Sequence, residues 1–175
     1  NALRAAVLGA NDGLVSNLSL VMGVAGATLA GNSVLIAGVA GLLAGAISMA
    51  LGEWLSVQSS RELYTHQIET EKEEIATAPE EEAEELALIY EARGLSPETA
   101  RALAAQIISR PESAIDTLAR EELGIDPSEL GGSAWEAAIT SFVLFAMGAI
   151  IPVAPFIFTS GMPAVYISIA LSAVG

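Results

Sequence analysis

Two uncharged apolar blocks flank one polar segment in this chain. No Asp, Glu, Lys or Arg occurs from Gly13 to Gly52, nor again from Ala137 to Gly175. A helix crosses ~30 Å of hydrocarbon in about 20 residues, so each block is long enough for two spans. The pattern predicts an all-α, polytopic helical membrane protein with a soluble helical segment inserted between spans two and three. The expected domains are 1–57, a short lead and spans one and two; 58–132, the polar segment; and 133–175, spans three and four.

Local signals place the elements. Asp12-Gly13 marks the entry to a first span over roughly Leu14 to Ala30, and Gly31-Asn32-Ser33 supplies the turn. The second span starts near Val34 and meets no helix breaker until Pro79, so it is expected to run out of the membrane as one long helix. A second polar helix follows Pro79 and ends near Arg93-Gly94. Ser96-Pro97-Glu98 opens a third with a cap, Pro in the first turn and an acid, and extends it to about Ser109. Pro111 and Glu112 open a fourth that reaches Leu123-Gly124, and Asp126-Pro127 with Gly131-Gly132 form the return linker. Trp135 and Glu136 stand at the re-entry, and the third span covers about Ala137 to Phe158, bent by Pro152 and Pro155 as a gate or simply as shape. Gly161-Met162-Pro163 turns into a fourth span still running at Gly175. With Asn rather than Met first and no signal-peptide pattern, the chain is expected to be part of a longer protein.

Composition agrees with a membrane protein. The chain is 53% hydrophobic, with a mean hydropathy of +0.55, too apolar for an ordinary soluble domain of 175 residues. Of the formal net charge of −14, residues 58–132 carry −12. That sign argues against nucleic acid as a partner, because phosphate binding needs cations. The absence of Cys removes disulfides, thiolate metal sites and thiol catalysis. No nucleophile and base stand in a recognisable arrangement, so an enzyme is not expected, nor is a prosthetic group. Arg4 and the six cations of the central segment lie on the side opposite the uncharged turn at 31–33, which makes the acidic segment cytosolic by the positive-inside rule.

The chemistry is concentrated in the run from Glu69 to Glu85. Glu occupies 69, 71, 73, 74, 80, 81, 82, 84 and 85 against a single Lys72, and such a run needs cations. Glu71 and Glu74 share one helix face, and Glu82 and Glu85 share another. On antiparallel helices the two pairs would converge on metal ions; the other reading is a solvated acidic face. His66, three residues before Glu69, is either a further ligand or simply solvated. In the second span Ala37, Gly41, Gly45, Met49 and Glu53 recur every four residues, the small ones suited to close helix packing. Met49 and Glu53 are either core filler or a soft and a hard donor suited to a borderline ion such as Fe²⁺. Asp12 is either a helix cap or a carboxylate at a membrane entrance, with Asn11, Ser16, Asn17 and Ser19 beside it forming a polar vestibule.

N-D-G-L-V-S-N-L-S-L-V-M-G-V-A-G at 11–26, G-A-I-S-M-A-L-G-E-W-L at 45–55, the E-x-x-E pairs at 71/74 and 82/85, E-L-G at 122–124 and G-A-I-I-P-V-A-P-F at 148–156 resemble the vacuolar iron transporter family over essentially the whole chain. The resemblance implies a five-span homodimeric carrier. It would move Fe²⁺ and related divalent ions such as Mn²⁺ out of the cytosol in exchange for protons, across a cytoplasmic or vacuole-type membrane. By position, Asp12 and Met49 match residues lining the translocation path. Glu71, Glu74, Glu82, Glu85 and Glu122 match carboxylates of a cytosolic metal-binding domain. Three departures stand out: Gly41 where relatives can carry a glutamate, with Glu53 the nearest replacement; Leu118 and Ala119 where relatives can carry methionines; and no fifth span in the sequence. The leading expectation is a secondary metal transporter. Its rivals are a membrane-anchored metal buffer or sensor without flux, and a solvated acidic surface that docks a partner.

Overall fold

The structure, a computed structural model, describes residues 2–27, 31–126 and 132–174; the expected linker at 127–131 and the side chain of Arg4 lie outside the described residues. Among these residues every regular element is a helix. They are α1 (Ala2–Ala27), α2 (Gly31–Thr77), α3 (Pro79–Ala92), α4 (Pro97–Ile108), α5 (Pro111–Glu121), α6 (Ala134–Val153), α7 (Pro155–Phe158) and α8 (Met162–Val174). The chain divides into two compact units, one of residues 1–57 with 133–175 and one of residues 58–132.

In the apolar unit, α1 and α6 approach closely because small residues line the crossing. A Cβ added at Gly13 would overlap the Phe145 carbonyl, and one at Gly148 would overlap the Ala10 carbonyl. Without a water-driven hydrophobic force between membrane helices, this close van der Waals contact is what holds them. Val21, Ala25, Val34, Val153, Phe156 and Ala164 fill one core, and Ala46, Phe145 and Ala149 a second. Buried Asn17 ties three helices together: its side-chain amide donates to the carbonyl of Gly38 on α2 (3.1 Å) and of Ala149 on α6 (2.8 Å). Ser168 of α8 donates to the Pro152 carbonyl at 2.8 Å. That acceptor lies at the kink where Pro155, with no N–H, interrupts the helix ladder.

Apolar side chains also cover the outside. Only 17% of the apolar window of α2 is buried, and Ile36 and Leu51 are 70% and 63% exposed. Such a surface is untenable in water and suited to lipid. Among the described residues α1, α2 and α6 are long and apolar enough to cross a membrane.

Four sequence expectations need correction here. Asp12 caps nothing, because α1 has been helical since Ala2; the Ser16 hydroxyl one turn on donates to it at 3.1 Å. Gly31-Asn32-Ser33 is not a turn but the start of α2, where polar residues are tolerated because first-turn N–H groups lack helical partners anyway. The third span is shifted: Ser133 caps α6 through Glu136 N–H, so Trp135 and Glu136 are already helical, and the helix stops at Val153 before the Pro155 break. Trp135 packs against Trp54, their ring centroids 6.1 Å apart. The expected fourth span is the 13-residue α8, about 20 Å at 1.5 Å per residue, short of the ~30 Å of hydrocarbon.

The acidic unit is built on short-range signals. Pro79 cannot donate to the preceding turn, so α2 ends at Thr77 and α3 begins with Pro79. Gly94 takes φ +102°, letting its own N–H reach Glu91 O (2.9 Å) while Leu95 N–H reaches Tyr90 O (3.1 Å), which closes α3 as a Schellman motif. Ser96 caps α4 by accepting from Thr99 N–H. Ile75, Leu86, Ala100, Ala104, Ile108 and Leu118 form the core these helices share. Leu118 and Ala119, almost completely buried, serve here as packing residues.

Candidate functional site

In the acidic unit three carboxylates from three elements converge. Glu71 near the end of α2, Glu82 at the start of α3 and Glu122 just after α5 each place one carboxylate oxygen within 4.8 Å of the other two. The Pro79 break makes this possible, because the chain reverses around Ala78 and presents both acidic helix ends to one space. Glu71 and Glu82 are each only 5% exposed, while Glu122 lies at the rim. One oxygen of Glu71 is buried with no hydrogen-bond partner.

The electrostatics follow from that crowding. Burial, then the charges of Glu122, Glu82, Glu74 and Glu85, push the Glu71 carboxyl up from 4.5 to about 7. Burial, then Glu122, Glu85, Glu74 and Glu81, push Glu82 to about 7 as well. Glu122 is raised too, by burial and then by Glu85 and Glu74. Every charge that moves these three groups is another carboxylate. The nearby arginines are engaged elsewhere: Arg93 pairs with Glu121, and Arg120 with Asp116 (3.2 Å) and Asp126 (3.0 Å). A divalent cation would relieve burial and repulsion together, and an all-oxygen carboxylate set suits hard and borderline ions.

The structure therefore brings together Glu71, Glu82 and Glu122 of the five glutamates expected from the sequence. Glu74 and Glu85 stay within electrostatic range without joining the cluster. His66 sits on an exposed stretch of α2 beside Glu62 and Glu69, apart from the triad.

In the apolar unit a cavity of about 390 Å³ opens between α1, α2 and α6. Asp12, Ser16, Asn17, Ser48 and Met49 give it polar and sulfur walls. Gly41 and Gly45 keep the α2 side free of side chains, and Phe145 packs over Gly45. Asp12 and Met49 thus share one space, as the sequence led us to expect of path residues. Glu53 does not: one turn beyond Met49, it is exposed and outside the cavity, so it does not stand in for a ligand at Gly41. Ser48 and the hydrogen-bonding of Asn17 were missed from the sequence.

Comparison with known proteins decides the family. The VIT family profile matches residues 3–175. The chain belongs to the VIT family. It is similar to vacuolar iron transporter 1 of Arabidopsis thaliana, 32% identical over 171 residues, covering 97% of this chain and 68% of the relative. It is 42% identical to the vacuolar iron transporter of Acanthamoeba castellanii over 151 residues, 86% of this chain and 53% of that protein. Vacuolar iron transporter 1 of Tulipa gesneriana is 32% identical over 158 residues, covering 90% of this chain and 64% of the relative. The chain thus spans between about half and two thirds of the length of these relatives. VIT-family membership and three helices of spanning length make it an integral membrane protein.

Proposed function

We propose that this VIT-family chain is a subunit of a divalent-metal transporter that exports Fe²⁺, with Mn²⁺ as a second cargo, from the cytosol by exchange for protons. In this reading the acidic unit faces the cytosol and two copies of the chain assemble around the path in a vacuole-type or cytoplasmic membrane. The observation that carries it is the convergence of Glu71, Glu82 and Glu122 in a field with no cation of its own.

The chemistry has two stages. At neutral pH the triad carboxyls are poised near half-protonation, so an arriving ion displaces protons and takes over their neutralising role. Release from the triad is eased in the same way, by protons returning. In the membrane cavity, the Asp12 carboxylate and the Met49 thioether offer one hard and one soft donor, a mixture that favours borderline ions over Ca²⁺ or Mg²⁺. Three kinds of observation support this reading: the family, the cavity and the triad.

Vesicles reconstituted with the protein test it. Fe²⁺ flux should rise when a pH gradient is imposed, and both Asp12→Ala and Met49→Ala should abolish most of it. Unchanged flux in both variants overturns the path. Stoichiometric Fe²⁺ binding by the wild-type protein with no flux would instead favour a membrane-anchored buffer or sensor.

A further inference from the structure

Asn17 carries a feature that its structural role leaves unused. It is 2% exposed, and both of its known hydrogen bonds are donated by Nδ2, to Gly38 O and Ala149 O. Those two acceptors fix the amide orientation, because a flipped side chain would set its oxygen against two carbonyl oxygens. The remaining atom, Oδ1, is buried and has no donor. A buried acceptor left in that condition costs stability unless a donor or a cation reaches it.

The direction of that oxygen is set by its neighbour. Oδ1 lies 2.7 Å from the point a Cβ on residue 41 would occupy, and residue 41 is glycine. Asn17 and Gly41 both line the 390 Å³ cavity that holds Asp12, Ser16, Ser48 and Met49. The missing side chain at Gly41 therefore leaves the oxygen facing cavity space. A carboxamide oxygen is a neutral hard donor of the kind found around divalent cations.

We propose that the Asn17 carboxamide oxygen is a cation-binding donor in the membrane cavity, completing with the Asp12 carboxylate and the Met49 thioether a mixed site for a divalent first-row transition ion. The assignment rests on reading the cavity as part of the ion path. Asn17 acts as an anchored donor: its two N–H bonds hold the oxygen in place before the ion arrives, so little ordering is needed on binding. Because the amide carries no charge, it adds a ligand without adding repulsion to the Asp12 carboxylate.

The test uses the full chain in lipid nanodiscs with Glu71→Gln, Glu82→Gln and Glu122→Gln introduced together to silence the triad. Co²⁺ is the probe, followed by its visible absorption. Asn17→Leu and Asn17→Asp both lose the two donated hydrogen bonds, but only Asp retains an oxygen at this position. The expected result is Co²⁺ binding weakened about tenfold or more by Asn17→Leu, with an altered absorption band, and retained by Asn17→Asp. If both variants bind as the parent does, or both weaken equally, while Asp12→Ala abolishes binding, the cavity reading stands and the role of Asn17 is overturned. If Asp12→Ala and Met49→Leu leave Co²⁺ binding unchanged, the cavity reading falls and this proposal with it. Should the Asn17 variants fail to fold, infrared difference spectra of wild-type protein with ¹³C-labelled asparagine decide. An asparagine carbonyl band must move to lower wavenumber on Co²⁺ addition and stay put in Asp12→Ala; absence of the shift overturns the assignment.

Discussion

A carboxylate oxygen of Glu71 lies within 4.8 Å of one from Glu82, the two side chains meeting across the break that Pro79 imposes between α2 and α3. Two like charges this close, both 5% exposed, oppose folding when no cation is present. Glu71→Gln should therefore raise the thermal stability of the metal-free chain at neutral pH while weakening Mn²⁺ binding about tenfold or more, since one ligand charge is lost. Thermal unfolding with and without Mn²⁺ separates the two effects. A variant less stable than wild type in chelator, with undiminished Mn²⁺ protection, would refute the repulsive triad.

The same pair sets a pH dependence. Glu71 and Glu82 titrate at about 7 in the fold against 4.5 ordinarily, so between those values the native state binds more protons than the unfolded one. Their destabilising contribution is absent below about pH 4.5, grows as pH rises and is complete above about pH 7. Stability of the metal-free chain should decline across that window, and the Glu71→Gln, Glu82→Gln double variant should show a flatter profile. Metal affinity runs the other way: below pH 7 it should fall with acidification by up to about a hundredfold per pH unit if two protons compete with each ion. Calorimetry in buffers of different ionisation enthalpy should register protons released on Mn²⁺ binding at pH 6.5, and finding none would contradict the shared titration.

How much of this was legible in the sequence depends on how local each signal is. Pro79, the Ser96-Pro97 start of α4 and the Arg93-Gly94 stop of α3 were readable because a missing N–H, a capping hydroxyl and a left-handed residue act within one turn. Asp12 was misplaced because the uncharged run starts at Gly13, whereas the helix containing it starts at Ala2; hydropathy marks lipid contact, not helix ends. Glu122 had no local signature and entered only through resemblance. Its placement depends on how α5 packs, through buried Ala114 and Leu118 and through the Arg93–Glu121 pair. Asn17 looked like one polar residue among several, because its partners lie 21 and 132 residues away and no spacing rule reaches them.

The α1–α6 crossing should be the least tolerant part of the apolar unit. At Gly148 an added methyl meets the Ala10 backbone carbonyl, which cannot rotate away as a side chain would. Gly148→Ala should cost about 1–3 kcal/mol through forced separation of the helices. In detergent this should appear as a lowered unfolding temperature with Mn²⁺ binding at the triad retained. By contrast Gly23→Ala, with nothing within 4 Å of its added Cβ, should be neutral or slightly stabilising. Equal losses in the two variants would mean that close approach at Gly148 is not what sets the crossing.

The kink before Pro155 should depend on Ser168. Its hydroxyl donates to the Pro152 carbonyl at 2.8 Å, and Ser168 is fully buried, so no water replaces the bond once it is removed. Ser168→Ala should destabilise the apolar unit by about 1 kcal/mol, in the range of interhelical bonds in membranes, and Ser168→Thr, which keeps the hydroxyl, should lose less if the methyl fits. A second effect separates this bond from ordinary packing. With Pro155→Ala the residue-155 N–H is restored and the helix ladder can extend past Val153, so the Pro152 carbonyl gains access to a backbone donor and the penalty for Ser168→Ala should shrink. A double-mutant cycle measured by unfolding in the same detergent checks this coupling; strict additivity would show that the serine serves only to fill space.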